Sequence, residues 1–72
     1  MNYYERIISD ADVMLGKPVI KGTRITVELI LRKLSKGMNL TELLECYPRL
    51  VQEDALAVFS YAAVCYFKGA NH

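Results

Sequence analysis

Six cations fall between positions 17 and 36: Lys17, Lys21, Arg24, Arg32, Lys33 and Lys36. Glu28 is the lone carboxylate among them, so this stretch carries a net +5 while residues 1–16 and 37–72 carry −2 each. Cations gathered in this way suit an anionic partner, and phosphate oxygens of a nucleic acid are the obvious chemistry. Arg24 is best suited to an oriented contact, because its guanidinium forks into two hydrogen bonds and the nearby Gly22 leaves room for close approach. An ion pair between Arg24 and Glu28 is the other reading of that residue. For the cluster as a whole, the alternative is a solvated polar face.

Other chemistry lacks its parts. His72 is the single histidine, and no nucleophile–base set stands out. Glu42 and Glu45 lie three apart without ligand-type neighbours, so they read as a solvated helix face, and no metal-ligand spacing occurs. Gly22-Thr23-Arg24 could introduce a helix that binds phosphate. It lacks the Gly-x-x-x-x-Gly-Lys spacing of a nucleotide loop and reads better as a structural turn. No catalytic residue, metal, cofactor or small-molecule substrate is therefore expected.

The elements that must position the cations are legible. Tyr4–Ser9 and Pro18–Lys21 read as two short strands of an irregular hairpin, joined through the turn-like Asp10–Gly16. Pro18 fixes its own φ and pushes Lys17 toward extended backbone. Thr23–Ile25 reads as extended, and Thr26 offers a side-chain oxygen as the N-cap of a first helix over Val27–Lys36. Val27, Ile30, Leu31 and Leu34 give that helix its apolar stripe, with Arg32, Lys33 and Lys36 opposite, Leu29 exposed among them, and Gly37 as the stop. Asn39 and Glu42 have the spacing of a capping box for a second helix, which Pro48 ends at Tyr47.

A third helix is expected over Gln52–Lys68, with acid at the positive end of its dipole. From Ala55 to Phe67 it is apolar except for Ser60, yet thirteen residues are too few for a membrane span, which needs about 20. Its apolar residues divide into two faces. Leu56, Phe59, Ala63 and Tyr66 are expected to face the hairpin and the other helices. Ala57, Val58, Tyr61, Val64 and Cys65 are expected to face a partner, most simply a second copy of the chain.

Length and composition agree with such pairing. Seventy-two residues form one domain, with 1–26 as the hairpin region and 27–68 as the helices, and 53% of them are apolar. A domain of this size has a thin core, and oligomerisation is a common remedy. Cys46 and Cys65 lie in helical patterns and read as reduced, half-buried residues of a cytoplasmic protein, in a chain without a signal-peptide pattern. The fold class is mainly α, a small α+β arrangement with a short β-hairpin ahead of a three-helix, helix-turn-helix-like bundle. Gln52, Glu53 and Asp54 would repel phosphates at the start of the third helix, which argues against standard docking of that helix in the major groove.

The run Gly16-Lys17-Pro18-Val19-Ile20-Lys21-Gly22-Thr23-Arg24-Ile25-Thr26-Val27, followed by Gly37, Tyr47-Pro48 and Glu53-Asp54, resembles the family catalogued as domain of unknown function 433. Members of that family resemble VapB-type antitoxins of type II toxin–antitoxin pairs. The resemblance implies a DNA-binding regulator with two partners, DNA and a small PIN-like nuclease toxin. Val51 departs from the pattern, since family members often carry Ser or Thr there as the cap of the third helix. A homodimeric protein-interaction module without nucleic-acid binding is the second reading.

Overall fold

The computed structural model describes the backbone of residues 5–70 and the side chains of residues 5–65; Tyr4, His72 and the side chain of Tyr66 lie outside the described residues. Two short strands open the chain, β1 (Ile7–Ile8) and β2 (Val19–Ile20), paired antiparallel with Ile7 opposite Ile20 and Ile8 opposite Val19. Three helices follow: α1 (Val27–Ser35), α2 (Leu40–Cys46) and α3 (Gln52–Ala70). This is a small α+β fold in which α3 packs on both α1 and α2.

Local chemistry accounts for the helix ends. The Thr26 hydroxyl accepts the Leu29 N–H at 3.0 Å, which satisfies a donor that the first turn of α1 leaves free. Lys36 caps the end of α1, and Gly37 follows at φ +98°, where a side chain would be strained. Asn39 and Glu42 close a reciprocal capping box at the start of α2, with bonds of 2.8 and 3.1 Å. Pro48 follows Tyr47, the C-cap of α2.

The two turns that close the hairpin are tightly bonded. Asp10 O accepts the Val13 N–H at 2.8 Å, and the Asp10 carboxylate accepts the Asp12 N–H at 2.9 Å. Val13 O then accepts the Gly16 N–H at 3.1 Å across Met14 and Leu15, which both have positive φ, +51° and +59°. Two positive φ values inside one turn are the mark of the I′ class, which matches hairpin twist and normally takes Asn-Gly. Here two large apolar residues occupy it. Left-handed backbone costs a residue with a Cβ about 1–2 kcal/mol.

The core gathers Ile7 and Ile20 from the hairpin, Val27 and Ile30 from α1, Leu43 from α2, Leu50 from the turn after it, and Ala57 and Val58 from α3. This reverses the faces expected of α3. Ala57 and Val58, assigned above to a partner surface, are fully buried within the domain, whereas Leu56 and Phe59 remain 44% and 50% exposed. Ala63 is exposed with them. Tyr61 packs at the core edge, Val64 is half-buried and Cys65 is exposed. Apolar residues surround this helix on all sides, so their spacing does not fix its rotation.

A polar residue fixes it. Asp54 is buried, and both of its carboxylate oxygens are used. Oδ1 accepts from Arg6 Nη1 at 3.0 Å, and Oδ2 accepts from the Val51 N–H at 3.0 Å. The second bond supplies the half of a capping box that runs from the third helical position to the N-cap N–H, the other half being absent because Val51 has no side-chain acceptor. Asp54, Val58 and Tyr61 share one helical stripe, so placing Asp54 inward turns Val58 inward as well.

Beyond Val58 no described residue of α3 is buried. The two cysteines are free and exposed rather than half-buried. Cys46 closes α2, and Cys65 lies where α3 has outrun the core.

Removing one partner of a buried ion pair leaves the other uncompensated. Arg6→Met is expected to cost about 2 kcal/mol, less than a fully buried pair because Arg6 is partly solvated, and to lower the Tm by roughly 10 °C. Adding Asp54→Asn should recover part of that loss, because it removes the stranded charge and keeps the Val51 acceptor. Thermal and urea denaturation of the single and double variants would check both steps.

Candidate functional site

The expected cationic residues gather around the loop between β2 and α1. This loop is stitched to itself: Ile20 O accepts both the Thr23 N–H at 3.0 Å and the Thr23 hydroxyl at 2.7 Å, and the same hydroxyl oxygen accepts the Ile25 N–H at 3.0 Å. The Ile20 N–H donates to Ile25 O at 2.9 Å, and the Val27 N–H donates to Pro18 O at 3.0 Å. Between these bonds the chain turns at Gly22, φ +79°. Arg24 is exposed on a backbone that hydrogen bonds hold on either side.

Arg49, from the turn between α2 and α3, donates from Nη2 to Gly22 O at 2.9 Å. Charge counting along the chain had set Arg49 in the acidic C-terminal part, so sequence reasoning missed it. Its partner is 27 positions away, and no local spacing could have revealed the contact.

Three shallow grooves meet around this loop. Lys17, Arg24 and Arg32 line one of them together with Met14, Thr26, Glu28 and Leu29. Arg24 and Arg49 line the next, with Ile8, Val13, Gly22 and Thr23. Lys21 and Arg49 line the third, beside the Arg6–Asp54 pair and the exposed carboxylate of Glu5. Shared residues join the grooves, so Lys17, Lys21, Arg24, Arg32 and Arg49 form a continuous band. Lys33 and Lys36 line none of these grooves. They occupy the later part of α1 and its cap, with Lys33 half-buried and Lys36 exposed.

Glu28 sits inside the band. Its Oε1 lies 3.7 Å from Lys17 Nζ and 3.6 Å from Arg32 Nη2. All three side chains are about half exposed, and pairs of this kind contribute at most about 1 kcal/mol. Glu28 therefore organises Lys17 and Arg32 more than it neutralises the groove, which retains three cations against one carboxylate. The other reading of Arg24, an ion pair with Glu28, is not found among the described residues: Lys17 and Arg32 are the partners of Glu28. Leu29 is half-buried on the groove wall rather than exposed.

The acid expected to repel phosphates at the start of α3 is weaker than its sequence suggests. Arg6 holds Asp54, and Glu53 is the exposed carboxylate of that turn. On the far side of Glu28, Lys17, Pro18, Val27, Leu31 and Tyr61 line an apolar groove. Burial, and then the Cys65 thiol beside it, push the Tyr61 hydroxyl above its ordinary value near 10, so it remains neutral and adds no anion beside Lys17. Among the described residues no cluster of His, Cys, Asp and Glu could hold a metal ion, and no helix is long and apolar enough to cross a membrane.

Comparison with known proteins gives a family and one informative relative. The sequence model of the family described as "Protein of unknown function (DUF433)" matches residues 7–62. A relative from Archaeoglobus fulgidus, named "Uncharacterized protein", is 61% identical over 28 residues, which span 39% of this chain and 78% of that protein. No solved structure matches.

The loop bonds predict an order of stabilities. Thr23→Val keeps the shape of the side chain but strands the Ile25 N–H, and is expected to cost about 1–2 kcal/mol. Arg49→Ala removes one exposed bond and should cost less than about 1 kcal/mol. Urea denaturation of the two variants measures the difference.

Proposed function

We propose, from the premise that the chain belongs to the DUF433 family, that this protein is an antitoxin-like regulator that binds double-stranded DNA through the cationic band around Gly22. One observation carries the reading: Lys17, Arg24 and Arg32 converge on a single groove that holds one carboxylate. Phosphate binding needs convergent cations that water can leave, and these are half exposed on rigid backbone. Arg24 has the largest role, because the Thr23 bonds fix its backbone and its side chain forms no salt bridge among the described residues. Arg49 joins the expected set, and Lys33 and Lys36 leave its centre.

The exposed face of α3 supports a second copy of the chain as partner. Leu56, Phe59 and Ala63 make an apolar stripe on the side away from the core. Two such helices packed across a two-fold axis would cover both stripes and present two cationic bands. A PIN-like nuclease toxin is the further partner that the family resemblance implies, and a neighbouring gene for a small nuclease would support it. The same apolar stripe favours the second reading, a homodimeric interaction module without nucleic-acid affinity.

Titration of labelled DNA from upstream of the gene separates the two readings. Expected is binding that weakens steeply with salt, each phosphate contact contributing about −0.9 to the slope of log K against log salt. Arg24→Ala should reduce that slope by about one contact. Binding that is absent, insensitive to salt, or unchanged in Lys21→Ala/Arg24→Ala would leave only the interaction module. Light scattering at micromolar concentration tests the pairing: a dimer is expected for the wild type and a folded monomer for Leu56→Ser/Phe59→Ser.

A further inference from the structure

Leu15 is 93% exposed, and the adjoining Met14 is 40% exposed. Both sit in the I′-class turn at the hairpin end, at φ values that large side chains rarely adopt. Leu15 thus serves neither the core nor the turn, where Asn or Gly would fit without strain. The turn holds it firmly all the same, since the Gly16 and Lys17 N–H groups donate to Val13 O and Met14 O at 3.1 Å each. Cations lie on one side of it: the adjoining Met14 lines the same groove as Lys17, Arg24 and Arg32, with Glu28 between them, while Asp10 and Asp12 are exposed in the neighbouring turn.

A rigid apolar side chain beside phosphate-binding cations matches one kind of target, a surface that is anionic outside and apolar within. Stacked base pairs are such a surface, and proteins that bind the minor groove use Leu, Met or Phe to part a base step. A bilayer is anionic and apolar too, but even a whole acyl chain gives only marginal membrane binding, so one leucine is too little apolar surface for it. We propose that Leu15 is a wedge that enters a DNA base step from the minor groove while Lys17, Arg24 and Arg32 hold the flanking phosphates. The proposal rests on the DNA-binding reading above. It adds a distortion of the duplex that phosphate contacts alone would not produce. Flexible TA and CA steps are the preferred entry points, because they unstack most easily.

The test uses the full chain and duplexes from upstream of the gene, with 2-aminopurine at successive TA steps and dyes at the ends. Wild-type protein is expected to raise 2-aminopurine fluorescence at one step and to bring the dyes closer together. Leu15→Ala and Leu15→Gly should abolish both signals and weaken binding roughly tenfold, with the salt slope unchanged. Leu15→Gly should keep or raise the Tm, because glycine relieves the strained φ. Arg24→Ala should lower the salt slope yet keep the fluorescence rise at saturation. Wild-type binding without unstacking, or wild-type affinity in Leu15→Ala, overturns the wedge and leaves the DNA reading in place. A Tm loss in Leu15→Gly equal to its loss of binding also overturns it, by making the leucine structural. Absence of any DNA binding by the wild type removes both proposals. Binding of Leu15 variants that is impaired only toward phosphatidylserine vesicles or a co-purifying protein assigns the leucine to that partner instead and overturns the wedge.

Discussion

The Asp54 carboxylate decides how this small domain is assembled. One oxygen takes the Arg6 guanidinium, the other takes the Val51 N–H, and the group is buried between them. The first bond ties the strand end to a helix 48 positions away. The second starts that helix at a residue whose own side chain cannot cap it. A buried carboxylate with both oxygens bonded tolerates little rotation, since turning α3 by one residue would expose the charge or strand it. The hydrophobic effect does not make that choice, because burying Leu56 and Phe59 would remove more apolar surface from water than burying Ala57 and Val58 does. Directional bonds make it instead, and the consequence is that Ala57 and Val58 enter the core while Leu56 and Phe59 face outward.

This explains which parts of the fold could be read from the sequence. Helix ends were legible because their causes are local: Thr26 reaches the Leu29 N–H three positions on, and Asn39 and Glu42 bond each other over the same distance. The apolar stripe of α1 was legible because its cations lie opposite, so a single rotation buries Val27 and Ile30. For α3 the pattern was silent, since Ala55 to Phe67 offers apolar residues all round and the deciding bond comes from Arg6. The candidate cationic surface shows the same division. Gly22, Thr23 and Arg24 announced a rigid cationic turn, and the structure has one. Arg49 joined it from a distant turn, while Lys33 and Lys36, close in sequence, line none of its grooves. Segregation of charge along a chain is a guide to segregation in space only as far as secondary structure carries it.

The loop and the hairpin end share a design. Each is a short reversal closed by its own hydrogen bonds, around Thr23 in one case and Val13 in the other. Such closure removes most of the conformational freedom that exposed loops otherwise retain, and a contact made from a rigid loop loses less entropy on binding. The residues placed on these reversals are unlike those of ordinary turns. Arg24 and Leu15 both give side chains to solvent from backbone that is already fixed, and neither contributes to the core.

A domain with so thin a core has little stability to spare, so features that work against folding narrow the choice of explanations. A leucine at φ +59° loses twice, through its strained backbone and through apolar surface left in water. The exposed stripe on α3 loses through the second effect alone. These two costs lie on different elements, so one partner need not account for both. The stripe is apolar and helical, which suits another helix of the same kind. The hairpin end is small and pointed, and on one side it adjoins the groove of Lys17, Arg24 and Arg32, which suits an anionic surface that can open to admit one side chain. On this geometry the two costs fit the two partners proposed above, a second copy of the chain at the stripe and DNA at the hairpin end.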